Sequence, residues 1–392
     1  MKLLILSFYY SPDLCAGSFR TTSLIEALQP MLCEGDQVDV VTTFPNRYHS
    51  FDRACDEDET IGNVHVHRIQ LPDHQSGVFD QAKAFVTFFF QVLRYTKNRD
   101  YDIVFATSSR LFTAFLGAFI SKRKKKPLYL DIRDIFTDTI DSLFSRWKGR
   151  LILPVFRMVE SYTMSAADKI NLVSGGFRDY FERLTPATPL SFFTNGIDDD
   201  FLNKDFQKTE DSKKKVITYA GNMGLGQGLE KIIPEIAKAT ENEFFFRIIG
   251  DGGMRLPLEK RLVELNVHNV ELHDPVDRQK LLELYRESDY LFLHLNDVSA
   301  FEKVLPSKIF EYAATGKPVI AGVKGYSRTF LKQEVENVCL FDPCDPDAFL
   351  SAFHAFSPSH VSRDAFIQKY SRRNIMKKMA EDILIVGKCT IS

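Results

Sequence analysis

The sequence lacks the cysteine and histidine patterns that mark metal sites and disulfide frameworks. Its six cysteines form no CxxC pair, and neither an HxxxH pair nor a zinc-spaced histidine is present. There is also no GxSxG motif, the turn that presents a nucleophilic serine in many hydrolases. Scattered cysteines of this kind are typical of reduced thiols in a cytosolic protein. The residues therefore predict no metal site and no serine nucleophile.

Long apolar runs and a strong charge imbalance are also missing. The longest apolar runs, residues 85–93 and 111–120, fall short of the roughly 20 residues that span a bilayer. The first apolar run is too short for a signal peptide, and no small-residue cleavage site follows it. Lysine and arginine number 50 against 52 acidic residues, so the net charge is −2. We expect a cytoplasmic protein that does not bind nucleic acid.

Positive charge is nevertheless concentrated in one region. Residues 121–160 hold ten lysines and arginines against five acidic residues, and Trp147, the single tryptophan, lies within them. Such a region suits an anionic membrane surface or a phosphorylated acceptor. Solvated helix ends would give the same pattern. The sequence leaves both interpretations open, so peripheral attachment to the inner face of the cell membrane is one expectation.

The 392 residues alternate between strand-like apolar runs and helix-length segments. Continuous apolar runs are typical of parallel strands covered on both faces, so the fold class is α/β with two doubly wound, Rossmann-like domains facing a cleft. The predicted domains are residues 1–202 and 216–365, joined by the polar linker 203–215, with 366–392 as a final helix on the first domain. The predicted strands are residues 3–8, 38–43, 64–69, 103–107, 128–132, 170–174, 191–194, 216–220, 244–250, 270–273, 290–295, 318–322 and 338–341.

The most informative segment is LPSKIFEY at residues 305–312, followed by GKPVIA at 316–321. It predicts a short helix capped by Ser307 that presents Lys308 and Glu311 on one face. A lysine and free backbone N–H groups suit phosphate oxygens, and a carboxylate can accept hydrogen bonds from both hydroxyls of a ribose. A capped surface helix with a solvated lysine and glutamate is the alternative.

Two glycine turns follow predicted strands in the second half. Residues 221–228, GNMGLGQG, lead into a helix, and residues 250–253 read GDGG. Glycines allow a tight turn and close approach of the backbone to a diphosphate at a helix start. The spacing is not GxGxxG, which weakens a nicotinamide-cofactor interpretation. An ordinary Gly/Asp turn is an equal alternative for residues 250–253.

These segments resemble family 4 glycosyltransferases, the retaining GT-B enzymes that use nucleotide sugars, and most of all the bacterial enzymes that build O-antigen and capsule chains. The resemblance covers nearly the whole chain. It implies that Glu311 holds ribose, that Lys308 and the 221–228 loop hold diphosphate, and that the loop at 275–276 brackets the base. The donor-site candidates are Gly17, Gly221, Asn222, Gly224, Gly226, Gly250, Asp251, Pro275, Val276, Ser307, Lys308 and Glu311.

The chain also departs from the family pattern. The pattern places an arginine near Asn222 and a lysine near Gln227, and both are absent here. Position 303, where many relatives carry a glutamate that touches the donor sugar, is a lysine. Because a lysine cannot accept hydrogen bonds from hydroxyls, sugar recognition must differ.

In the first half, two segments resemble the acceptor side of these enzymes. Gly17 and Arg20 lie in the loop and helix after the first strand, where Arg20 is either a diphosphate contact or a surface residue. Residues 131–134, DIRD, follow a strand and resemble the family's RDLWP-type turn. Asp134 either assists removal of the acceptor proton or belongs to an internal Arg–Asp pair. The catalytic candidates are Lys308, Asp134 and Arg20.

The resemblance implies transfer of a sugar, from a nucleoside-diphosphate donor that is UDP-linked, to a glycan or lipid-linked acceptor, with retention and without a metal or other cofactor. Two alternatives remain. One is a nucleotide-sugar epimerase of the same fold. The other is an inactive partner subunit that lost activity along with the glutamate at position 303.

Overall fold

The structure is a computed structural model that describes residues 1–13, 15–45, 55–72, 78–108, 111–135, 137, 146–202, 204–208, 213–359 and 361–388, with the side chains of 78–82 and 146–152 left aside. The chain forms two compact units. Unit 1 comprises residues 1–195 and 372–392, and unit 2 comprises residues 196–371.

Unit 1 is built on an eight-stranded sheet. Its strands are β1 (Lys2–Leu6), β2 (Gln37–Thr43), β3 (Asp58–Ile61), β4 (Val64–Ile69), β5 (Ile103–Thr107), β6 (Leu128–Ile132), β7 (Lys169–Leu172) and β8 (Leu190–Ser191). Their order is β3-β4-β2-β1-β5-β6-β7-β8. All neighbours are parallel except β3 and β4, which form an antiparallel pair at the edge. The central strands are buried along their whole length because helices cover both faces.

In the part of unit 1 that the structure describes, six α-helices are present. They are α1 (Ala16–Leu28), α2 (Val78–Thr96), α3 (Leu111–Lys124), α4 (Arg146–Ser165), α5 (Arg178–Leu184) and, last in the chain, α13 (Arg372–Lys388). The α13 helix packs beside α1, and its Asp382 accepts hydrogen bonds from Tyr129 and Lys169 at 2.9 Å each. The carboxyl-terminal helix thus completes the first unit.

Unit 2 has a six-stranded parallel sheet. Its strands are β9 (Lys215–Ala220), β10 (Phe244–Ile249), β11 (Val270–His273), β12 (Tyr290–His294), β13 (Val319–Gly322) and β14 (Val338–Phe341). The order is β11-β10-β9-β12-β13-β14, which reverses direction between β9 and β12. In such sheets ligands bind at the carboxyl ends of the strands beside the reversal. The loops after β9 and β12 therefore lie where a ligand site is expected.

The helices of unit 2 follow the strands in alternation. They are α6 (Leu229–Ala239), α7 (Arg255–Glu264), α8 (Arg278–Glu287), α9 (Lys308–Ala314), α10 (Gly325–Glu334), α11 (Pro346–Ala355) and α12 (Asp364–Tyr370). The apolar faces of α6 and α11 pack on the sheet, with Ile232, Ile236 and Phe349 fully buried. The predicted α/β class with two doubly wound domains is confirmed.

The thirteen predicted strands are all present, with ends displaced by at most three residues. Strand β3 was not predicted, because its sequence DETI is polar and exposed at the sheet edge. The chain enters unit 2 after Asn195, whereas the sequence prediction placed the linker at 203–215. Part of that polar run is anchored within unit 2, since Phe206 is buried and Lys208 lies 2.7 Å from Asp289.

The described helices include none that combines the length and the apolar character needed to cross a membrane.

Candidate functional site

The glycine loop after β9 is held against the turn after β10. Gly221 donates its N–H to Ile249 O at 2.8 Å, and Met223 donates to Asp251 O at the same distance. A Cβ on Gly250 would lie 1.9 Å from Gly221 O, and Gly250 has a φ of +140°. Only glycine fits this contact without displacing backbone. The two predicted turns therefore form one glycine-lined surface at the carboxyl edge of the sheet.

Side-chain amides give the loop its shape. The Gln227 Oε1 accepts hydrogen bonds from Asn222 Nδ2 and from the Gly224 N–H, both at 3.1 Å. The Tyr219 hydroxyl donates to Asn222 O at 2.6 Å. Gly226 passes close to the Phe301 ring, because a Cβ there would lie 3.1 Å from it. Asn222 and Gln227 thus hold the loop in its conformation, whereas the family pattern places an arginine and a lysine near these two positions.

Lys308 lies directly over Gly221. A Cβ built on Gly221 would meet Lys308 Cε at 2.2 Å and Nζ at 2.3 Å. Desolvation lowers the pKa of Lys308, although Glu311 opposes this shift. Within the described parts of the chain, no atom accepts a hydrogen bond from the Lys308 ammonium. A desolvated cation over a glycine backbone is an arrangement that suits a phosphate oxygen.

Glu311 is held by an arginine that the sequence analysis did not select. Arg278, the first residue of α8, reaches Glu311 Oε1 at 3.3 Å and Asp198 Oδ2 at 2.5 Å. Its guanidinium also lies 4.6 Å from the Phe201 ring centre. Desolvation lowers the pKa of Arg278, but Glu311 and Asp198 outweigh this and raise it. A cation at a helix amino terminus interacts unfavourably with the helix dipole. The position of Arg278 at the start of a helix was therefore a sequence signal that it has acidic partners elsewhere.

His294 and Asn296, at the end of β12, support the glycine loop from below. His294 Nδ1–H donates to Gln227 O at 2.6 Å, and Nε2 accepts the Cys344 N–H at 2.9 Å. Burial lowers the pKa of His294 to about 4, so the ring is neutral. Asn296 Nδ2 donates to Leu225 O at 2.7 Å. The sequence signal for both was a polar residue closing an apolar strand.

The predicted serine cap of α9 is wrong. Ser307 precedes the helix, but its backbone is helical, with φ −59° and ψ −28°, and its side chain makes no capping hydrogen bond. A serine cap needs an extended backbone that lets the hydroxyl reach back to the second or third N–H of the helix. Ser307 is half-buried beside Lys308.

The loop after β11 is joined to the Gly250 turn by Arg255. Its Nη1 donates to Gly250 O at 3.1 Å and to Asp274 Oδ1 at 2.6 Å. Pro275 and Val276 follow Asp274, and Asp277 then caps α8 by accepting the Lys280 N–H. The turns at 250–253 and 274–277 therefore lie side by side, at the same edge as the glycine loop.

In unit 1, Arg20 is enclosed and does not present its charge to a ligand. It is 1% exposed. Its Nε and Nη2 donate to both Asp131 oxygens at 2.8 and 2.9 Å, and the remaining N–H groups reach Thr194 O and Phe193 O. Burial raises the pKa of Asp131, but Arg20 offsets this and lowers it. The sequence predicted a catalytic, diphosphate-binding Arg20, whereas the structure has Arg20 in an internal ion pair with Asp131. Gly17 lies in the first turn of α1 and is buried.

Asp134 is not part of that ion pair. The residue is partly exposed, and partial desolvation of its carboxyl by the surrounding protein raises the pKa of Asp134 to about 6, with Arg133 opposing the shift. Arg133 Nη1 instead donates to Ala16 O at 3.1 Å. The structure therefore separates the two carboxylates of the DIRD segment into a buried partner of Arg20 and an accessible group.

Among the described residues, one group has the geometry to hold a metal ion, namely Glu57, Asp58 and His67 at the outer edge of the unit 1 sheet. Asp58 already lies 2.8 Å from the His67 ring. This group lies on and beside β3 and β4 and is remote in the sheet order from β6, which holds Asp131, the partner of Arg20.

Comparison with known families matches both halves of the chain. Residues 18–196 match the glycosyl transferase 4-like domain, and residues 200–373 match the glycosyl transferases group 1. The chain is 23% identical, over 98% of its length and all of the relative's, to WcaI of Escherichia coli (strain K12), described as a colanic acid biosynthesis glycosyl transferase.

Solved structures share the fold at lower identity. The lipopolysaccharide outer core galactosyltransferase WaaB in its apo form is 14% identical with a TM-score of 0.63, covering 98% of this chain and 99% of its own. HepE of Anabaena, solved with UDP and glucose, is 16% identical with a TM-score of 0.60, covering 99% and 97%. With two matched glycosyl transferase domains that together account for most of its residues, this chain is a glycosyltransferase with the GT-B fold.

Proposed function

We propose that this protein transfers a sugar from a UDP-linked donor to a growing, lipid-linked bacterial surface glycan, with retention of configuration at the anomeric carbon. The observation that carries the proposal is the Lys308 ammonium, desolvated over Gly221 and without a hydrogen-bond acceptor in the described chain. A donor diphosphate supplies the negative charge that this position favours.

The donor site lies at the carboxyl edge of the unit 2 sheet. Lys308, the Ser307 hydroxyl and the glycine backbone of 221–226 face the diphosphate, and Glu311 accepts hydrogen bonds from the ribose hydroxyls. The Gly250–Asp251 turn, joined by Arg255 to the loop that carries Pro275 and Val276, borders the base.

The chemistry depends on stabilising the leaving diphosphate. Negative charge grows on the diphosphate as the glycosidic bond breaks, so a fixed cation beside it lowers the barrier. A leaving-phosphate oxygen takes the acceptor proton on the same face, which gives retention without a protein nucleophile, metal or other cofactor. Asp134, a carboxylate above about pH 6, orients acceptor hydroxyls in unit 1.

The named relatives support the donor and the acceptor in this proposal. HepE is solved with UDP and glucose, WaaB is a galactosyltransferase of the lipopolysaccharide outer core, and WcaI is described for colanic acid biosynthesis. All three names fit a nucleotide-sugar donor or a bacterial surface glycan. We further propose that the protein works in the cytoplasm, as a peripheral protein on the anionic inner face of the cell membrane.

Glu311→Ala tests the donor site. Loss of two charge-assisted hydrogen bonds, each about 1.5–3 kcal/mol, should weaken UDP binding by roughly 100-fold or more in calorimetric titration. Glu283→Ala, on the exposed face of α8, is the matched control and should bind UDP as the unchanged protein does. Unchanged affinity in a folded Glu311→Ala variant would remove Glu311 from the site.

A mass-spectrometric screen of nucleotide sugars tests the reaction itself. Slow hydrolysis of one donor without acceptor, releasing UDP, supports the transferase. Interconversion of free nucleotide sugars would instead indicate an epimerase, and UDP binding without either activity would indicate an inactive partner subunit.

A further inference from the structure

Three helices of unit 1 share an aromatic face. Helix α3 lies between α2 and α4, and half-buried rings join them. The Phe89 ring lies 5.8 Å from Phe119 and 6.4 Å from Phe115, and the Phe112 ring lies 5.7 Å from Phe156. The apolar stretch of α3 at 111–120 is thus split: Leu111, Leu116 and Ile120 are buried, while its phenylalanines line this face.

Large apolar side chains on two of these helices are exposed to solvent. Val86 and Phe90, one helical turn apart on α2, are 51% and 64% exposed. Val155 and Met158 on α4 are 55% and 67% exposed. Phe90 is continuous with the aromatic face, since its ring lies 5.6 Å from Phe89. Clustered apolar exposure of this kind marks a surface that is covered in use.

Cations border this face at the carboxyl ends of α2 and α3. Arg94 continues the Val86–Phe90 stripe by one further turn. With Lys97, Arg123 and Lys124 it lines a groove of about 540 Å³ whose floor includes Leu93 and Ile120. Among the described residues, no carboxylate forms an ion pair with Arg94, Lys97 or Arg123. The groove therefore keeps its positive charge.

The charges identify what covers the face. A second copy of the chain would bring the same cations against each other, whereas an anionic bilayer would complement them. Exposed aromatic and apolar side chains beside cations are the composition of a surface that lies in the headgroup region.

We propose that the face formed by α2, α3 and α4 docks on an anionic phospholipid bilayer, with Phe90, Val155 and Met158 in the headgroup region and a lipid phosphate in the groove. This inference rests on the proposed function for its lipid-linked acceptor, but its test does not need activity. It places docking on the face of α2, α3 and α4, which includes Arg123 and Lys124 of the basic 122–126 run, and it does not depend on Trp147. The side chain of Trp147 lies outside the described residues.

The experiment is sedimentation with vesicles of phosphatidylglycerol and phosphatidylcholine, or of phosphatidylcholine alone. The unchanged protein should sediment with the anionic vesicles at low salt and be released as salt rises. The variant Val86→Ser/Phe90→Ser/Val155→Ser/Met158→Ser should lose about 100-fold in partitioning. Arg94→Glu/Lys97→Glu/Arg123→Glu should lose about as much on anionic vesicles.

Matched controls carry the same chemistry elsewhere. The variant Ile61→Ser/Leu256→Ser/Val263→Ser/Ile385→Ser is changed at exposed positions and should leave partitioning unchanged. So should the variant Lys260→Glu/Lys280→Glu/Lys332→Glu.

Two results would overturn the docking surface. One is protein that stays in the supernatant at low salt. The other is a dimer in light scattering that the four-serine variant converts to monomer. UDP titration of the same samples keeps the proposals separate: a protein that binds UDP but not vesicles retains its proposed function, and one that binds vesicles but not UDP retains only the docking surface.

Discussion

Each unit has a polar cluster with a cation from a helix, but the two clusters use the cation differently. In unit 1, Arg20, Asp131 and Asn171 satisfy one another, with Asn171 Nδ2 donating to Asp131 at 2.7 Å. In unit 2, Asn222, Gln227 and His294 hydrogen-bond to the glycine loop and leave Lys308 unpartnered in the described chain. The first cluster holds the chain together, and the second shapes a surface for something else.

The difference follows from the two cations. The planar guanidinium of Arg20 donates to one carboxylate and two carbonyls at once. These hydrogen bonds offset the desolvation cost of burying its charge. The Lys308 ammonium is a point charge whose desolvation is only partly offset by Glu311 and which has no hydrogen-bond acceptor among the described residues. A desolvated cation without a hydrogen-bond acceptor costs stability, and a bound anion restores part of what desolvation removed. The comparison therefore predicts a stability effect in unit 1 and a functional effect in unit 2.

Arg20→Leu should have the largest effect, a loss of about 3–5 kcal/mol in the free energy of unfolding, because Asp131 is left as an uncompensated buried charge. Urea denaturation measures this. The exposed Arg183→Leu is the control and should change stability by less than about 0.5 kcal/mol. Adding Asp131→Leu to Arg20→Leu should recover part of the loss, and the absence of any recovery would contradict the ion-pair explanation.

Acid should weaken unit 2 through His294. Its pKa is about 4 in the folded chain against an ordinary value of 6.5, so the unfolded chain binds the proton first. The contribution of His294 to the free energy of unfolding should be fully present above about pH 6.5. The free energy of unfolding should then fall by about 3 kcal/mol as the pH drops toward 4. Urea unfolding at several pH values measures the slope. His294→Leu should flatten it, while the exposed His354→Leu should not.

Lys308→Ala should lower turnover by about 100-fold while leaving the melting temperature unchanged or slightly higher, since a desolvated ammonium is removed. Steady-state kinetics and thermal melting measure the two effects. Gly221→Ala should also lower turnover, because its Cβ would displace the ammonium; Gly253→Ala, which meets nothing within 4 Å, should not. If only the Michaelis constant changed in Lys308→Ala, the lysine would be a ground-state contact.

Arg278→Met should have the smallest effect, a loss of roughly 1 kcal/mol, or about fivefold, in UDP affinity, because Glu311 loses the cation that orients it. Arg278→Lys should recover part of the affinity. Calorimetric titration measures both. Equal affinity in all three proteins would make Arg278 a partner of Asp198 alone.

The fold was largely predictable because its signals are local. Continuous apolar runs placed thirteen strands, and glycine-containing turns marked their ends. The omitted β3 strand carried a different signal, a Gly62–Asn63 pair before β4 that is typical of a two-residue hairpin turn. Its polar sequence gave no apolar signal for a strand. The strand forms nevertheless, because pairing with the single neighbour β4 is enough to hold it at the sheet edge.

The candidate site was predictable only in part. The motifs placed Lys308 and Glu311 on a short helix and both glycine turns at strand ends, where they lie. They could not give the conformation of Ser307, whose backbone is already helical although it precedes the first residue of α9. Nor could they select Arg278, which lies 33 residues before Glu311 and meets it only through the packing of α8 and α9.

By itself, the sequence determined the α/β class, the two parallel sheets and the residues offered at each strand end, because periodicity and turn chemistry act between near neighbours. Only the tertiary structure decided which of those residues keep their charge for a ligand. Arg20 and Lys308 look alike in the sequence, and the partners that distinguish them are 111 residues away in one case and absent among the described residues in the other. Those partners come from distant strands, and packing alone brings them within hydrogen-bond distance.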